Sequence, residues 1–336
     1  MTGYDEHEVA FERGGYTLRG TLTRPRVDGA YLPPTAVLVH GSGPSDRDAH
    51  LPGALAVSFG VEVPVFRSLA WQLAAVGVAS LRYDKRNCFA ENNRHCQRSL
   101  RDYPDDIERA NMDDYVADAR AAVRYVASRP DTAGEVIVIG HSEGGVFVPH
   151  ILRREPAAIG GVLLAAPARG YREQLAGQLL DTADYLASLG DAQLADDIAK
   201  LRAQADEYDR QVREVVDGTY AEDRLHGAPV SFTKNAVSWF AAIESSFVRA
   251  GKPMLLMAGD MDFNVVPAQL RQYEIWAKRA ELDATFHLLE QVTHPFVTLT
   301  PLEPERPFEP AFSSVAVGHI RDWLAGLRRH PGGPNP

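Results

Sequence analysis

The sequence predicts an α/β fold built on a mostly parallel sheet with helices on both faces. Three observations carry that prediction. Short, near-continuous apolar runs alternate with helically spaced segments for most of the chain, as strands buried on both faces require. The runs have strand length and the intervening segments repeat at helical steps. Glycine and proline punctuate the junctions between them.

Taken in order, 8–13 and 16–24 roughly alternate apolar and polar residues around Gly14-Gly15, as an antiparallel hairpin at the sheet edge would. "TAVLVH" (35–40) is a buried strand, "FRSLAWQLAAVG" (66–77) a helix closing on glycine, and "VASLRY" (78–83) the next strand. Residues 113–129 form a helix with an acidic first turn and Pro130 beyond it. "EVIVIG" (135–140), a helix from about Glu143, and "GVLLAAP" (161–167) follow. After an interruption come "PMLLMAG" (253–259), a helix over 267–279, "ATFHLL" (284–289) and a last helix over 313–327.

The interruption, 170–250, has another character. Leu194, Ile198, Leu201, Ala205, Tyr208, Val212 and Val215 fall at alternating steps of four and three, a heptad-like seam on one long helix. Leu175, Leu179, Ala183, Leu186 and Leu189 mark an earlier helix, with Gly190-Asp191 between, so 171–217 reads as a helical hairpin. It carries 11 acidic against 5 basic residues, read as a solvated outer face. The seam packs either within the chain or in a homodimer.

Composition narrows the function. Across 336 residues the net charge is −10, which argues against nucleic acid as a partner, since phosphate neutralisation needs clustered Lys and Arg. No apolar run approaches the ~18 residues of a membrane span. The acidic N-terminus lacks a hydrophobic signal core, so a cytoplasmic location is expected. No metal-ligand spacing is present, and no metal or cofactor is expected. Cys88 and Cys96 are the only cysteines, and two free thiols are expected rather than a local disulfide.

The chemistry centres on Gly140-His141-Ser142-Glu143-Gly144, a Gly-x-Ser-x-Gly pattern between an expected strand and an expected helix. That context fits a nucleophile elbow, where glycines permit a turn that lifts the serine above the sheet. A serine hydroxyl needs a positioned base. Of 11 histidines, His294, in the loop after the last expected strand, is the candidate; His141 is expected to point away through the elbow. The base needs an orienting acid, and Asp262 fits better than its rival Asp260, both just past the 253–259 strand. For an oxyanion, the backbone N–H of Glu143 supplies one donor and that of Ser42 the other, with Gly43 as second choice. Pro44 has no N–H. Asp46-Arg47-Asp48 and Asp84-Lys85-Arg86 read as charge pairs that lock loops together. Tyr83 is a pocket candidate as a hydrogen-bond donor, and Phe232, Trp239 and Phe240 are candidates for lining an acyl or alcohol pocket.

Together "HGSGPSDRD" (40–48), "LRYDKR" (81–86), "GHSEGG" (140–145), "GDMDFNVVP" (259–267) and "THPF" (293–296) resemble an α/β-hydrolase. More narrowly, they resemble bacterial serine esterases related to dienelactone hydrolases, acyl thioesterases and the serine aminopeptidase group. The resemblance implies an eight-stranded sheet and acyl transfer to water through an acyl-enzyme, with no cofactor. The loops 49–64 and 87–111 look longer than such folds need. The expected organisation is a hydrolase core over 1–169 and 251–328, an inserted helical cap over 170–250, and a frayed tail over 329–336. The expected substrate is a small-molecule carboxylic ester of small or medium size. The alternatives are a thioester, acyl transfer or lactone formation with the same three residues, an amide, or a non-catalytic ligand-binding or assembly role.

Overall fold

The computed structural model describes residues 3–26, 32–50, 63–102, 110–300 and 308–327. The expected frayed tail at 329–336 lies outside them, as do most of the 49–64 loop and part of 87–111.

The first strands, β1 (Tyr4–Arg13) and β2 (Tyr16–Pro25), pair antiparallel around Gly14-Gly15. Then come β3 (Thr35–Val39), α1 (Val65–Ala75), β4 (Ala79–Tyr83), α2 (Met112–Ala127), β5 (Val136–His141), α3 (Glu143–Arg154) and β6 (Ala158–Leu164). A mainly helical stretch follows: α4 (Tyr171–Ser188), α5 (Ala195–Asp217), a two-strand hairpin of β7 (Arg224–Leu225) and β8 (Ala228–Pro229), α6 (Val230–Ala241) and α7 (Ile243–Val248). The chain returns to the sheet with β9 (Met254–Met261), α8 (Pro267–Arg279), β10 (Ala284–Thr293), β11 (Val297–Leu299), β12 (Phe308–Phe312) and α9 (Ser314–Leu327).

The main sheet has the order β1-β2-β4-β3-β5-β6-β9-β10-β11-β12. Strands β4 through β10 run parallel, and antiparallel strands finish both edges. The expected eight strands become ten. The two additions, β11 and β12, are short and follow a turn and a proline-rich stretch, so no alternation marked them.

Both faces of the central parallel strands β4, β3, β5, β6 and β9 are buried, whereas β10 is partly exposed, and successive residues enter different cores. Val37 and Val39 of β3 pack on one side with Val123 of α2 and Phe147 of α3, whereas Ala36 and Leu38 pack on the other with Phe66 of α1 and Ile320 of α9. Burial of each large apolar side chain contributes roughly 1.5–3 kcal/mol. Between β3 and β5 the chain direction across the sheet reverses, because β4 was laid down on the opposite side of β3. Loops leaving the C-terminal ends of β3 and β5 therefore diverge and leave a crevice.

Helices α4 and α5 pack on one another, joined through Gly190-Asp191 and one short turn, Ala192–Leu194. The C-terminal part of the α5 seam packs within the chain, Val212 and Val215 being buried with Leu225 against Tyr171 and Leu175 of α4, while Leu194, Ile198 and Leu201 are half-buried.

Cys88 and Cys96 form a disulfide, which corrects the expected free thiols. Successive turns, with Asn92 and Asn93 N–H donating to the Phe89 carbonyl, double the segment back and bring the two Cα atoms to 5.5 Å. Among the described residues no helix is long and apolar enough to cross a membrane.

Candidate active site

The site grows from the turn between β5 and α3. Ser142 has φ 53° and ψ −124°, a conformation that costs a non-glycine residue roughly 1–3 kcal/mol. Packing holds it there. A side chain on Gly140 would strike the Gly144 carbonyl, and one on Gly144 would strike the Val39 carbonyl, so glycine is required for α3 to start this close to β3 and β5. The Ser142 N–H donates to the Leu164 carbonyl at 2.8 Å, and the Ser142 carbonyl accepts from Gly145 N–H at 2.8 Å. These constraints fix the hydroxyl above the crevice, at the positive end of α3.

His294 sits in the turn between β10 and β11, with its Nε2 3.1 Å from Ser142 Oγ. Its Nδ1 lies 2.8 Å from Asp262 Oδ2. Asp262, just past β9, is fully buried and its other oxygen accepts from the N–H groups of Asn264 and Val265 at 2.9 and 2.8 Å. That carboxylate cannot rotate away from the imidazole without losing both bonds. Asp260, the rival acid, is exposed. The structure thus brings Ser142, His294 and Asp262 into one hydrogen-bonded line.

His141 does not point away through the turn as expected. Its Nε2 donates to the His294 carbonyl at 2.8 Å, and the two rings lie 4.9 Å apart. Burial lowers the His141 pKa to about 3, helped by the neighbouring His294 ring, so the imidazole stays neutral. His40, just past β3, is buried; its pKa falls to about 4 and its Nε2 bonds the Tyr83 carbonyl at 2.7 Å.

A cavity of about 510 Å³ opens above Ser142. Ser42, Gly43, Ser142 and Glu143 all line it, so the two residues expected to supply oxyanion donors border the same space as the serine. Glu143 is the first residue of α3, where N–H groups lack a partner within the helix. Phe232 and Phe240 line the wall, as expected from the sequence. Tyr83 and Trp239 do not. Tyr83 turns into the core against Phe11 and His40, and Trp239 packs on His150 and donates from Nε1 to Asp113 at 3.1 Å.

Several lining residues were not foreseen: Tyr115 from α2, Tyr171 and Gln174 from α4, and Lys85 from the loop after β4. Lys85 Nζ bonds the Gly41 carbonyl at 2.7 Å and Glu143 Oε1 at 3.1 Å, with both side chains about 5% exposed. The surrounding charges lock loops together. Arg47 grips Asp84 with its backbone N–H and two guanidinium nitrogens, and Arg82 and Arg67 both reach Asp48. Asp46 accepts from His50 Nδ1 at 2.8 Å and from two backbone N–H groups, which hold its pKa near 2 despite burial.

The chain resembles known proteins in the same sense. Residues 59–298 match the family described as serine aminopeptidase, S33. Esterase EstD of Thermotoga maritima is 30% identical over 265 residues, covering 78% of this chain and 53% of that protein, so the chain spans about half the length of this curated relative. Est1E from Butyrivibrio proteoclasticus superimposes with a TM-score of 0.53 at 14% identity, over 95% of this chain and 98% of that one. An acylaminoacyl peptidase from Pyrococcus horikoshii superimposes at 0.59 and 12% identity, over 100% of this chain and 44% of that one. These superpositions show the α/β-hydrolase fold that the sequence motifs resembled.

Proposed function

Since the chain belongs to the serine aminopeptidase S33 family of hydrolases, we propose that it is a serine hydrolase that cleaves small or medium-sized carboxylic esters through an acyl-enzyme. The observation that carries this reading is the bridge His294 makes between Ser142 Oγ at 3.1 Å and Asp262 at 2.8 Å. The fold alone leaves the bond type open, because esterases and a peptidase share it. The identity with an esterase over most of the chain favours the ester.

In this mechanism His294 Nε2 takes the Ser142 proton as Oγ attacks the ester carbonyl. Asp262 holds the Nδ1–H tautomer and stabilises the imidazolium. The N–H groups of Ser42 and Glu143 receive the oxyanion, each such donor being worth roughly 10²–10³ in rate. His294 then hands its proton to the departing alkoxide. Water, deprotonated by the same imidazole, releases the carboxylic acid and restores Ser142.

Residues 170–250 act as an inserted cap over this site. Tyr171, Gln174, Phe232 and Phe240 come from that stretch and line the cavity, so it sets which acyl or alcohol groups fit. The Cys88–Cys96 disulfide is of a kind commoner in oxidising compartments and does not support the cytoplasmic location expected from the N-terminal sequence. The test is hydrolysis of p-nitrophenyl esters of increasing acyl length by the wild type and by Ser142→Ala. Turnover of the short and medium esters that vanishes in the variant supports the reading; turnover that survives in Ser142→Ala, or a wild type inert across the series, overturns it.

A further inference from the structure

We propose that Lys85 is the positioning residue of the oxyanion pocket, holding both donors at once; this rests on the ester-hydrolase reading above. The peptide group between Gly41 and Ser42 is planar and trans, so the Gly41 carbonyl and the Ser42 N–H point in opposite directions from one rigid unit. Lys85 Nζ grips that carbonyl at 2.7 Å. Fixing the oxygen at the back fixes the direction of the N–H at the front, and the cation polarises the unit so that its hydrogen becomes a better donor.

The same ammonium holds the second donor residue. Glu143 Oε1 lies 3.1 Å from Nζ, while the backbone of Glu143 begins α3 directly behind Ser142. One side chain from the β4 loop therefore ties the β3 loop to the start of α3, the two segments whose N–H groups must converge on one oxygen atom. Gly41 and Ser142 are already tight neighbours, since a Cβ on Gly41 would sit 3.1 Å from Ser142 Cβ. A small shift of the 41–42 peptide would thus move the donor relative to the nucleophile.

Burying an ammonium is costly unless its protons are satisfied. Here Lys85 has a carbonyl, a carboxylate and the face of Tyr115, whose ring centre is 4.2 Å from Nζ. With those partners in place, the charge is directed at the protein and not at substrate. Its backbone is anchored too, Lys85 N–H donating to the Ser45 carbonyl at 3.0 Å.

The experiment compares wild type, Lys85→Met, Lys85→Arg and Glu143→Gln, with circular dichroism to establish folding. Four quantities are measured: kcat and KM for the best p-nitrophenyl ester, inhibition by the matching alkyl boronic acid, and inhibition by the matching ether. The boronate forms a tetrahedral adduct that uses the oxyanion pocket; the ether has no carbonyl and does not. For Lys85→Met, kcat should fall about 10–100-fold with KM within about threefold, and boronate affinity should fall by a similar factor while ether inhibition holds. Lys85→Arg should recover part of the loss. Glu143→Gln, which keeps the Lys85–Gly41 bond, should show the same pattern at about three- to tenfold.

A folded Lys85→Met with kcat and boronate affinity within twofold of wild type overturns the proposal. So does an equal loss of substrate, boronate and ether binding, which would make Lys85 a substrate contact. If Lys85→Met does not fold, an unchanged Glu143→Gln overturns it. A wild type that neither turns over esters nor binds the boronate overturns the hydrolase reading itself, which separates the two failures.

Discussion

His141 Nε2 donates to the carbonyl oxygen of His294 at 2.8 Å, so the residue before the serine supports the residue that faces it. The elbow follows β5 in the middle of the parallel sheet, the histidine turn follows β10, its last parallel strand, and this bond joins them. His141→Ala should lower kcat about tenfold or more with a smaller change in KM, because a displaced imidazole loses its alignment on Ser142 Oγ. Steady-state kinetics on the folded variant checks this; an unchanged kcat would show that the turn is held elsewhere.

The two acids after β9 should separate cleanly. Asp262→Asn keeps the shape but favours the wrong tautomer of His294, and should reduce kcat about 10³–10⁴-fold. Asp260 is exposed, and Asp260→Asn should leave kcat within about twofold. Equal effects in the two variants would contradict the assignment.

Acid should destabilise the fold well before its carboxylates titrate. His40, His141 and His150 are neutral in the folded state, their pKa values lowered to about 4, 3 and 4, chiefly by burial. In the unfolded chain they take up protons near the ordinary value of 6.5. Between these values the unfolded state binds more protons, so stability is full above about pH 6.5 and falls as pH drops toward 4. Urea midpoints at pH 7.5 and pH 5 test it: the lower pH should give the lower midpoint.

The Cys88–Cys96 disulfide closes a loop that supplies Asn92 to the cavity wall, and Asn87, also in the wall, immediately precedes it. Replacing both cysteines by serine should cost about 2–3 kcal/mol by chain entropy. The measurement is thermal unfolding with and without reductant: reductant should lower the wild-type midpoint and leave the double variant unmoved.

Phe240 is buried and meets Tyr171 edge-on at 5.3 Å across the cavity wall. Phe240→Ala should cost about 3 kcal/mol of stability and move the preferred acyl chain toward longer esters. An unchanged chain-length profile would place the acyl group elsewhere.

Which of these features the sequence disclosed follows from how local their signals are. Ser142 was legible because its glycines lie within two residues of it, between a strand and a helix. Asp262 and His294 were legible because both follow strands whose ends must share one edge of the sheet. Lys85 was not, since its partners lie 44 and 58 residues away and nothing local marks them. Trp239 and Phe240 show the limit within a helix: one step turns a side chain by about 100°, so Phe240 meets the cavity and Trp239 the α2–α3 side. In β4 the alternation of faces sends Tyr83 into the core. Strand β11 is too short for any alternation to register, and in β12 Pro310, with the prolines just before it, hides a strand as long as β3.

The central claim is that Ser142 is a nucleophile activated by His294. Labelling with a fluorophosphonate, followed by mass mapping of the adduct, tests it most directly. A single adduct on Ser142, lost in Ser142→Ala and strongly slowed in His294→Ala, is the expected result. A folded wild type that takes up no label, or takes it up at another residue, would contradict the claim.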